Sequence, residues 1–114
     1  MVGNLPRQLK PSISLCLYRV VQESLHNILK HSQAKNVHIT LGTERDVILL
    51  QVSDDGIGFN ASDEGDGLGL ASMRQWVRSA GGTIAINSSS KAGTRIAVRV
   101  PCRGWASEND VGAA

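Results

Sequence analysis

The sequence predicts an α+β fold, a two-layer sandwich with helices on one face of a mixed, mostly antiparallel sheet. Two observations carry this. Residues 36–41 and 47–52 alternate apolar and polar side chains or run β-branched, and so do residues 83–87 and 95–100, so the chain reads as two hairpins. Two further segments, residues 13–32 and 70–80, place apolar residues at helical spacing. The order helix, hairpin, loop, helix, hairpin favours antiparallel pairing with both helices packed on one side.

Taken in order, residues 1–11 hold two prolines and read as an extended lead-in, after which Ser12 or Ser14 can cap a helix. Its inward face is Leu17, Val20, Val21, Ser24, Leu25 and Ile28. Val37, Ile39 and Leu41 then share one face of a half-buried strand. Residues 42–46 read as a turn, and residues 47–52 as the second strand of the hairpin. Residues 54–69 hold five glycines and five acidic residues, with Ile57, Phe59 and Leu68 as the large apolar residues, and read as a long functional or disordered loop. The second helix turns Leu70, Met73, Val77 and Ala80 inward, and Gly81-Gly82 ends it. Two strands follow, joined across residues 88–93, and Pro101 stops the last one. One domain over residues 1–102 and a frayed tail over 103–114 are expected.

A chain of 114 residues fits one domain. At that size a chain buries roughly 60–70% of the surface its unfolded form exposes, enough for one core without staples. Hydrophobic residues at 41% and charged residues at 19% are an ordinary globular balance. The net charge is +2 and the Lys and Arg residues are scattered, which argues against a nucleic-acid interface. Cys16 and Cys102 lack metal-ligand spacing and read as plain thiols, with nothing demanding a disulfide. No run approaches the ~20 apolar residues of a membrane helix. Met1-Val2-Gly3-Asn4 does not open a signal peptide. A cytoplasmic domain that makes no membrane contact of its own is the simplest expectation, and a parent protein anchored elsewhere remains compatible with it.

Chemistry-bearing residues gather in four places. On the first helix, at ~100° per residue, Glu23, Asn27, Lys30 and His31 form a stripe beside the buried arc. Glu23 and Asn27, one turn apart, could offer oxygens to a hard cation such as magnesium. Lys30 lies where it could meet phosphate. A solvated face with an i,i+4 pair fits that helix equally well. At the end of the second strand stands Asp54-Asp55-Gly56-Ile57-Gly58-Phe59. Asp54 can accept a hydrogen bond from an exocyclic amino group, and the glycines let backbone approach a flat ring or a phosphate. A surface turn is the alternative.

The third place is Gly65-Asp66-Gly67-Leu68-Gly69-Leu70, directly before the second helix. Backbone N–H groups there can hold an anion, although Asp63, Glu64 and Asp66 oppose one. The fourth is Gly93-Thr94, which could add a hydroxyl near the base or be a plain turn. Gly56-Ile57-Gly58-Phe59-Asn60-Ala61 also fits a dinucleotide fingerprint. That pattern must open a crossover helix between parallel strands, and Ser62-Asp63-Glu64-Gly65-Asp66-Gly67 will not start one.

Three of these stretches, in this order and spacing, resemble a known family. Gln22-Glu23-Ser24-Leu25-His26-Asn27-Ile28-Leu29-Lys30-His31-Ser32 resembles the N box of bacterial sensor histidine kinases. Asp54-Asp55-Gly56-Ile57-Gly58-Phe59 resembles their first glycine box, and the stretch from Gly65 to Leu70 their second. Leu17-Tyr18-Arg19-Val20-Val21-Gln22-Glu23 is similar to the subtype of the nitrate/nitrite sensors and the desaturase thermosensor. The resemblance covers nearly the whole chain and implies the Bergerat ATP fold shared with gyrase, Hsp90 and MutL.

By position it implies that Asn27 coordinates Mg2+ and that Lys30 and His31 meet the phosphates of ATP. Glu23 would act there as metal ligand or base. Asp54 would bind the adenine amino group, with Gly56, Ile57 and Gly58 shaping its pocket. Residues 59–66 would be the lid, Gly67, Leu68, Gly69 and Leu70 would cradle phosphate, and Thr94 would sit near adenine.

The implied function is supply of the γ-phosphate of Mg-ATP to a histidine. In the family that histidine is usually followed by an acidic residue. His26, His31 and His38 are followed by Asn27, Ser32 and Ile39, so the acceptor is expected on a separate dimerisation domain of the same parent protein. A response regulator is then an indirect partner, and this chain by itself is expected to be a monomer of low activity. The family's opening strand looks clipped, with Met1 to Asn4 alone preceding Leu5-Pro6. In the second helix Met73-Arg74 fits the subtype and Gln75-Trp76 does not, which leaves that helix's part in docking the acceptor domain open. An ATP hydrolase of the gyrase and Hsp90 type, or a serine kinase that binds a sigma factor, are alternatives on the same fold.

Overall fold

The computed structural model describes residues 10–58, 69–89 and 93–102. The first helix, α1, spans Pro11–Asn27. Pro11 occupies its first turn, where a missing N–H forfeits no hydrogen bond. Lys10 is the N-cap, and its carbonyl accepts from the N–H groups of Ile13 and Ser14. Ser12 and Ser14 lie inside the helix, so the serine cap expected from sequence is not used. Ile13, Cys16, Leu17, Val20 and Ser24 face the core. The Ser24 hydroxyl, which would be costly to bury alone, donates to the Val20 carbonyl at 2.6 Å and lies 3.9 Å from the Met73 sulfur. Leu25, expected inward, is 36% exposed.

After Asn27 the helix widens into a π turn over Ile28–Ser32, which Gln33 closes in the left-handed region at φ 56°. A π turn rotates less per residue than an α-helix. The 100° spacing that the stripe through Lys30 and His31 assumes therefore does not hold beyond Asn27.

Strand β1 spans Val37–Glu44 and β2 spans Val47–Asp54. They pair antiparallel from Val37 opposite Asp54 to Glu44 opposite Val47. Their turn is two residues, Arg45 and Asp46, both at positive φ (51° and 63°). Gly42, expected in the turn, stays in the ladder opposite Leu49. Helix α2 spans Leu70–Ser79. The N–H of Gly82 bonds the Val77 carbonyl and the N–H of Gly81 bonds that of Arg78, the two bonds of a Schellman ending. Strands β3, Thr83–Ser89, and β4, Gly93–Pro101, form the second hairpin.

The sheet order is β1-β2-β4-β3, and every pairing among the described strands is antiparallel. The two hairpins are thus joined edge to edge through β2 and β4. One face of this sheet carries Ile48, Leu50 and Val52 from β2 and Ile96, Val98 and Val100 from β4, all buried. They pack with Ile13, Cys16, Leu17 and Val20 of α1 and with Leu70, Met73 and Val77 of α2. Burying each such side chain is worth about 1.5–3 kcal/mol. Cys16 and Cys102 are buried and free, and burial raises the pKa of both thiols; beside Cys102 the charge of Asp46 adds to the effect. No described helix is long and apolar enough to cross a membrane.

Candidate functional site

The ladder extends two residues further along β2 than the alternation suggested, and this builds the first part of the site. Asp54 is the last residue of β2, opposite Val37 on one side and Thr94 on the other. Its Oδ1 accepts the Gly56 N–H at 2.8 Å, which folds the chain back after the strand. Asp55 turns the other way. Its Oδ1 accepts the N–H groups of Lys35 (2.8 Å) and Asn36 (2.9 Å), and its Oδ2 accepts from Asn36 Nδ2 at 2.8 Å. Those bonds, led by the Asn36 N–H, hold its carboxyl at about 2, well below the ordinary 3.8. The adjacent aspartates therefore divide the work: Asp55 ties the segment before β1 to the end of β2, and Asp54 is left beside Thr94.

Gly93 presses on the same place. It sits at φ 81°, and a Cβ there would lie 2.1 Å from the Asp54 carbonyl oxygen, so backbone stacks on backbone. Beyond it the Thr94 hydroxyl meets the Ser88 hydroxyl at 2.7 Å. A cavity of about 740 Å³ at this end of the sheet is lined by His38, Ser53, Arg95 and Asn87, a cross-strand row on the face away from the helices, and reaches the strand ends at Asp54, Thr94 and Ser88. Gly56 is buried, Ile57 is exposed, and Gly58 holds φ 69°.

A second cluster forms on α1. Glu23 is partly shielded, and its Oε2 lies 3.6 Å from His26 Nδ1, one turn on. Gly69, the left-handed N-cap of α2 at φ 69°, packs against that carboxylate so closely that a Cβ would fall 2.7 Å from its carbon. The second glycine loop thus ends on the polar face of the first helix. Asn27 is half-buried with its Oδ1 shielded from solvent. Glu23 and Asn27 offer oxygens one turn apart. No group of three or more His, Cys, Asp or Glu that could cage a metal occurs among the described residues. That donor set fits a magnesium ion, which keeps waters and shares ligands with phosphate, better than a metal held by protein alone.

The remaining expected residues divide as follows. Lys30 is exposed on the π turn, and His31 belongs to the same turn. Leu70 is fully buried in the core, so any contact it makes with a ligand is through its backbone. Gly67, Leu68 and the expected lid at residues 59–66 lie outside the described residues. The cavity beside Asp54 does not reach Glu23 or Asn27. Sequence reasoning missed His26, Asp55 and Ser88. His26 carried a signal, three residues after Glu23. Ser88 comes to Thr94 only through the β3–β4 register.

Residues 13–104 match the family described as histidine kinase-, DNA gyrase B-, and HSP90-like ATPase. The chain is 40% identical to the oxygen sensor histidine kinase NreB of Staphylococcus carnosus over 91 residues, 78% of this chain and 26% of that protein. It is 37% identical to the signal transduction histidine-protein kinase/phosphatase UhpB of Salmonella typhimurium over 95 residues, 83% and 19% of the two chains. It spans about a quarter or less of these relatives' lengths. Among solved structures, the histidine kinase domain of a blue-light activated histidine kinase from Erythrobacter litoralis EL346 superposes with TM-score 0.73 at 19% identity, covering 93% of this chain and 55% of that one. The ATP binding domain of PrrB from Mycobacterium tuberculosis gives TM-score 0.61 at 24% identity, covering 82% and 68%. At these identities the structures speak for the fold, while the match over residues 13–104 and the relatives at 37–40% identity speak for descent. The chain belongs to the family of histidine kinase-, DNA gyrase B- and HSP90-like ATPases.

Proposed function

We propose that this chain is the catalytic domain of a two-component sensor histidine kinase. It binds Mg-ATP and offers the γ-phosphate to a histidine on a dimerisation domain of the same parent protein, from which a response regulator takes it. The observation that carries this reading is Asp54 at the end of β2, opposite Thr94 and on the helix-facing side of the sheet, with the Gly56 N–H fixing one Asp54 oxygen. The other oxygen is left to accept from an exocyclic amino group, which adenine has at its 6-position.

At the phosphate end, Glu23 and Asn27 are the oxygen donors for magnesium, and the Gly69 N–H, Lys30 and His31 are donors for phosphate. Magnesium, when bound, neutralises charge on the phosphates. The acceptor imidazole attacks the γ-phosphorus in line; the bond to the bridging oxygen breaks and ADP leaves with that electron pair. The imidazole proton goes to a base, and Glu23 serves this region as base or metal ligand. Positioning and charge neutralisation carry most of such a transfer, which suits a domain whose acceptor arrives on another one.

Calorimetric titration of the chain with ATP, with and without MgCl2, tests the reading. Magnesium-dependent saturable binding is expected. Asp54→Asn should weaken it about tenfold or more, because an amide that keeps the Gly56 bond turns its NH2 against the adenine amino group. Phosphate from γ-labelled ATP should then pass to the parent's histidine-bearing domain added in trans. Absence of magnesium-dependent ATP binding overturns the reading.

A further inference from the structure

The sheet face away from the helices carries a polar row that the nucleotide reading does not use. His38 opposes Ser53, Ser53 opposes Arg95, and Arg95 opposes Asn87, so the row crosses β1, β2, β4 and β3. Side chains alternate along a strand, so this row points away from Val52 and Ile96, which are buried on the helix side. All four side chains line the cavity of about 740 Å³. Each brings an N–H or O–H donor. Among the described residues none of the four side chains has a hydrogen-bond partner or an ion pair. Asn36, at the cavity's edge, differs, because its amide is spent on Asp55. Charge near the row is one-sided. Arg95 belongs to it, and the neighbouring row of Thr40, Gln51, Ala97 and Ala85 carries no charge. The acid among the strand residues of this face is Glu44, at the far end of β1. Asp55 borders the cavity with its carboxylate engaged by three N–H donors, and Asp54 reaches it from the strand end on the helix-facing side.

We propose that this row is a binding site for a phosphate-type oxyanion, on the opposite side of the sheet from the proposed nucleotide site. Ser53 stands between His38 and Arg95, each about 5 Å away across the ladder. The Arg95 guanidinium offers a planar fork of donors suited to phosphate. The imidazole adds an N–H from the other side, and the Ser53 hydroxyl adds a donor from the sheet between them. A tetrahedral oxyanion presents oxygens to donors on several sides, whereas a carboxylate presents two in one plane. Hydrogen bonds to a charged group are the stronger ones, so Arg95 contributes most of the affinity. Asn87, next to Arg95, is placed to meet a polar group carried on the phosphate. Free phosphate and a phosphate monoester share the chemistry that the row recognises.

The test is an NMR titration of the nitrogen-15-labelled chain with inorganic phosphate at constant ionic strength, run with and without Mg-ATP. Saturable shifts are expected at the amides of His38, Ser53 and Arg95, and they should persist when Mg-ATP is present. Acetate should produce no saturable shift there. Arg95→Gln should weaken phosphate binding about tenfold or more, and Ser53→Ala should weaken it less. Thermal melts confirm that each variant is folded. A parallel titration with glycerol 2-phosphate separates the two sources. Tighter binding than inorganic phosphate, lost in Asn87→Ala, supports the site and assigns a monoester; equal binding supports it and assigns free phosphate. Shifts that never saturate, an equal response to acetate, or saturable binding that survives in both folded variants overturns the site. Shifts confined to Lys30 and Gly69 that vanish with Mg-ATP overturn it as well. Phosphate bound at the row by a chain that binds no Mg-ATP supports this site while the nucleotide reading fails.

Discussion

At the scale of single residues, Asp54 and Asp55 show how neighbours of the same type come to do different things. Alternation along β2 puts Asp54 on the face of Val52, beside Thr94. Asp55 leaves the strand and spends both oxygens on Lys35 and Asn36. Its folded carboxyl sits at about 2 against an ordinary 3.8, because three N–H bonds favour the charged form. The sign follows from linkage: the unfolded chain binds this proton more tightly, so the contribution is complete above pH 3.8 and is lost as the pH falls toward 2. Melts of wild type between pH 5 and pH 2 should show a stability loss across that window. Asp55→Asn should flatten that part of the profile, since the asparagine keeps an acceptor for the backbone but has no proton to gain. An unchanged slope in the variant would remove Asp55 from the acid response.

At the scale of elements, the β1–β2 turn is a local conflict between sequence and fold. Arg45 and Asp46 both hold positive φ, the geometry that a two-residue hairpin needs and that Asn-Gly adopts most readily. The left-handed region costs an ordinary residue about 1–2 kcal/mol. The Asp46 carbonyl also accepts the Cys102 N–H, so a backbone-conserving change keeps that bond. The double change Arg45→Asn with Asp46→Gly should stabilise the domain by about 1 kcal/mol and raise the melting midpoint by about 5 °C; a lower midpoint would show that the two side chains matter more than the strain. The same turn marks where reading from sequence stops. Strand faces were legible because period-two burial is written into Ile48, Leu50 and Val52. Residues 42–46 read as a turn in sequence, yet Gly42 is held in the ladder by the register of the whole hairpin. The π turn over Ile28–Ser32 has no marker in composition or spacing, and it changes the angular spacing by which Lys30 and His31 follow Asn27. Asp54, Thr94 and Gly69 were legible as motif residues, while their neighbours Ser88 and His26 were named by packing.

At the scale of the molecule, scaffold and proposed site use different stretches of the same elements, and this makes them separable. The core closes between α1, α2 and the inner face of β2 and β4, and Met73 sits in it without exposure, touching Ser24 of α1 through its sulfur. The proposed site uses the end of β2, the start of β4 and the N-cap of α2. Ligand that binds only the folded chain stabilises it by mass action, about 2.7 kcal/mol at a hundred times its dissociation constant. A chain of this length converts that to about 10 °C or more in the melting midpoint. Met73→Ala should cost about 2–5 kcal/mol through the cavity it leaves, lowering the midpoint without nucleotide while preserving the upward shift that Mg-ATP produces. Asp54→Asn should do the reverse, with a midpoint near wild type alone and little shift on adding Mg-ATP. Thermal scans of the three proteins with and without nucleotide separate the two effects. If Met73→Ala abolishes the shift while the variant is still folded, the core and the nucleotide site are one cooperative unit and the division drawn between them fails.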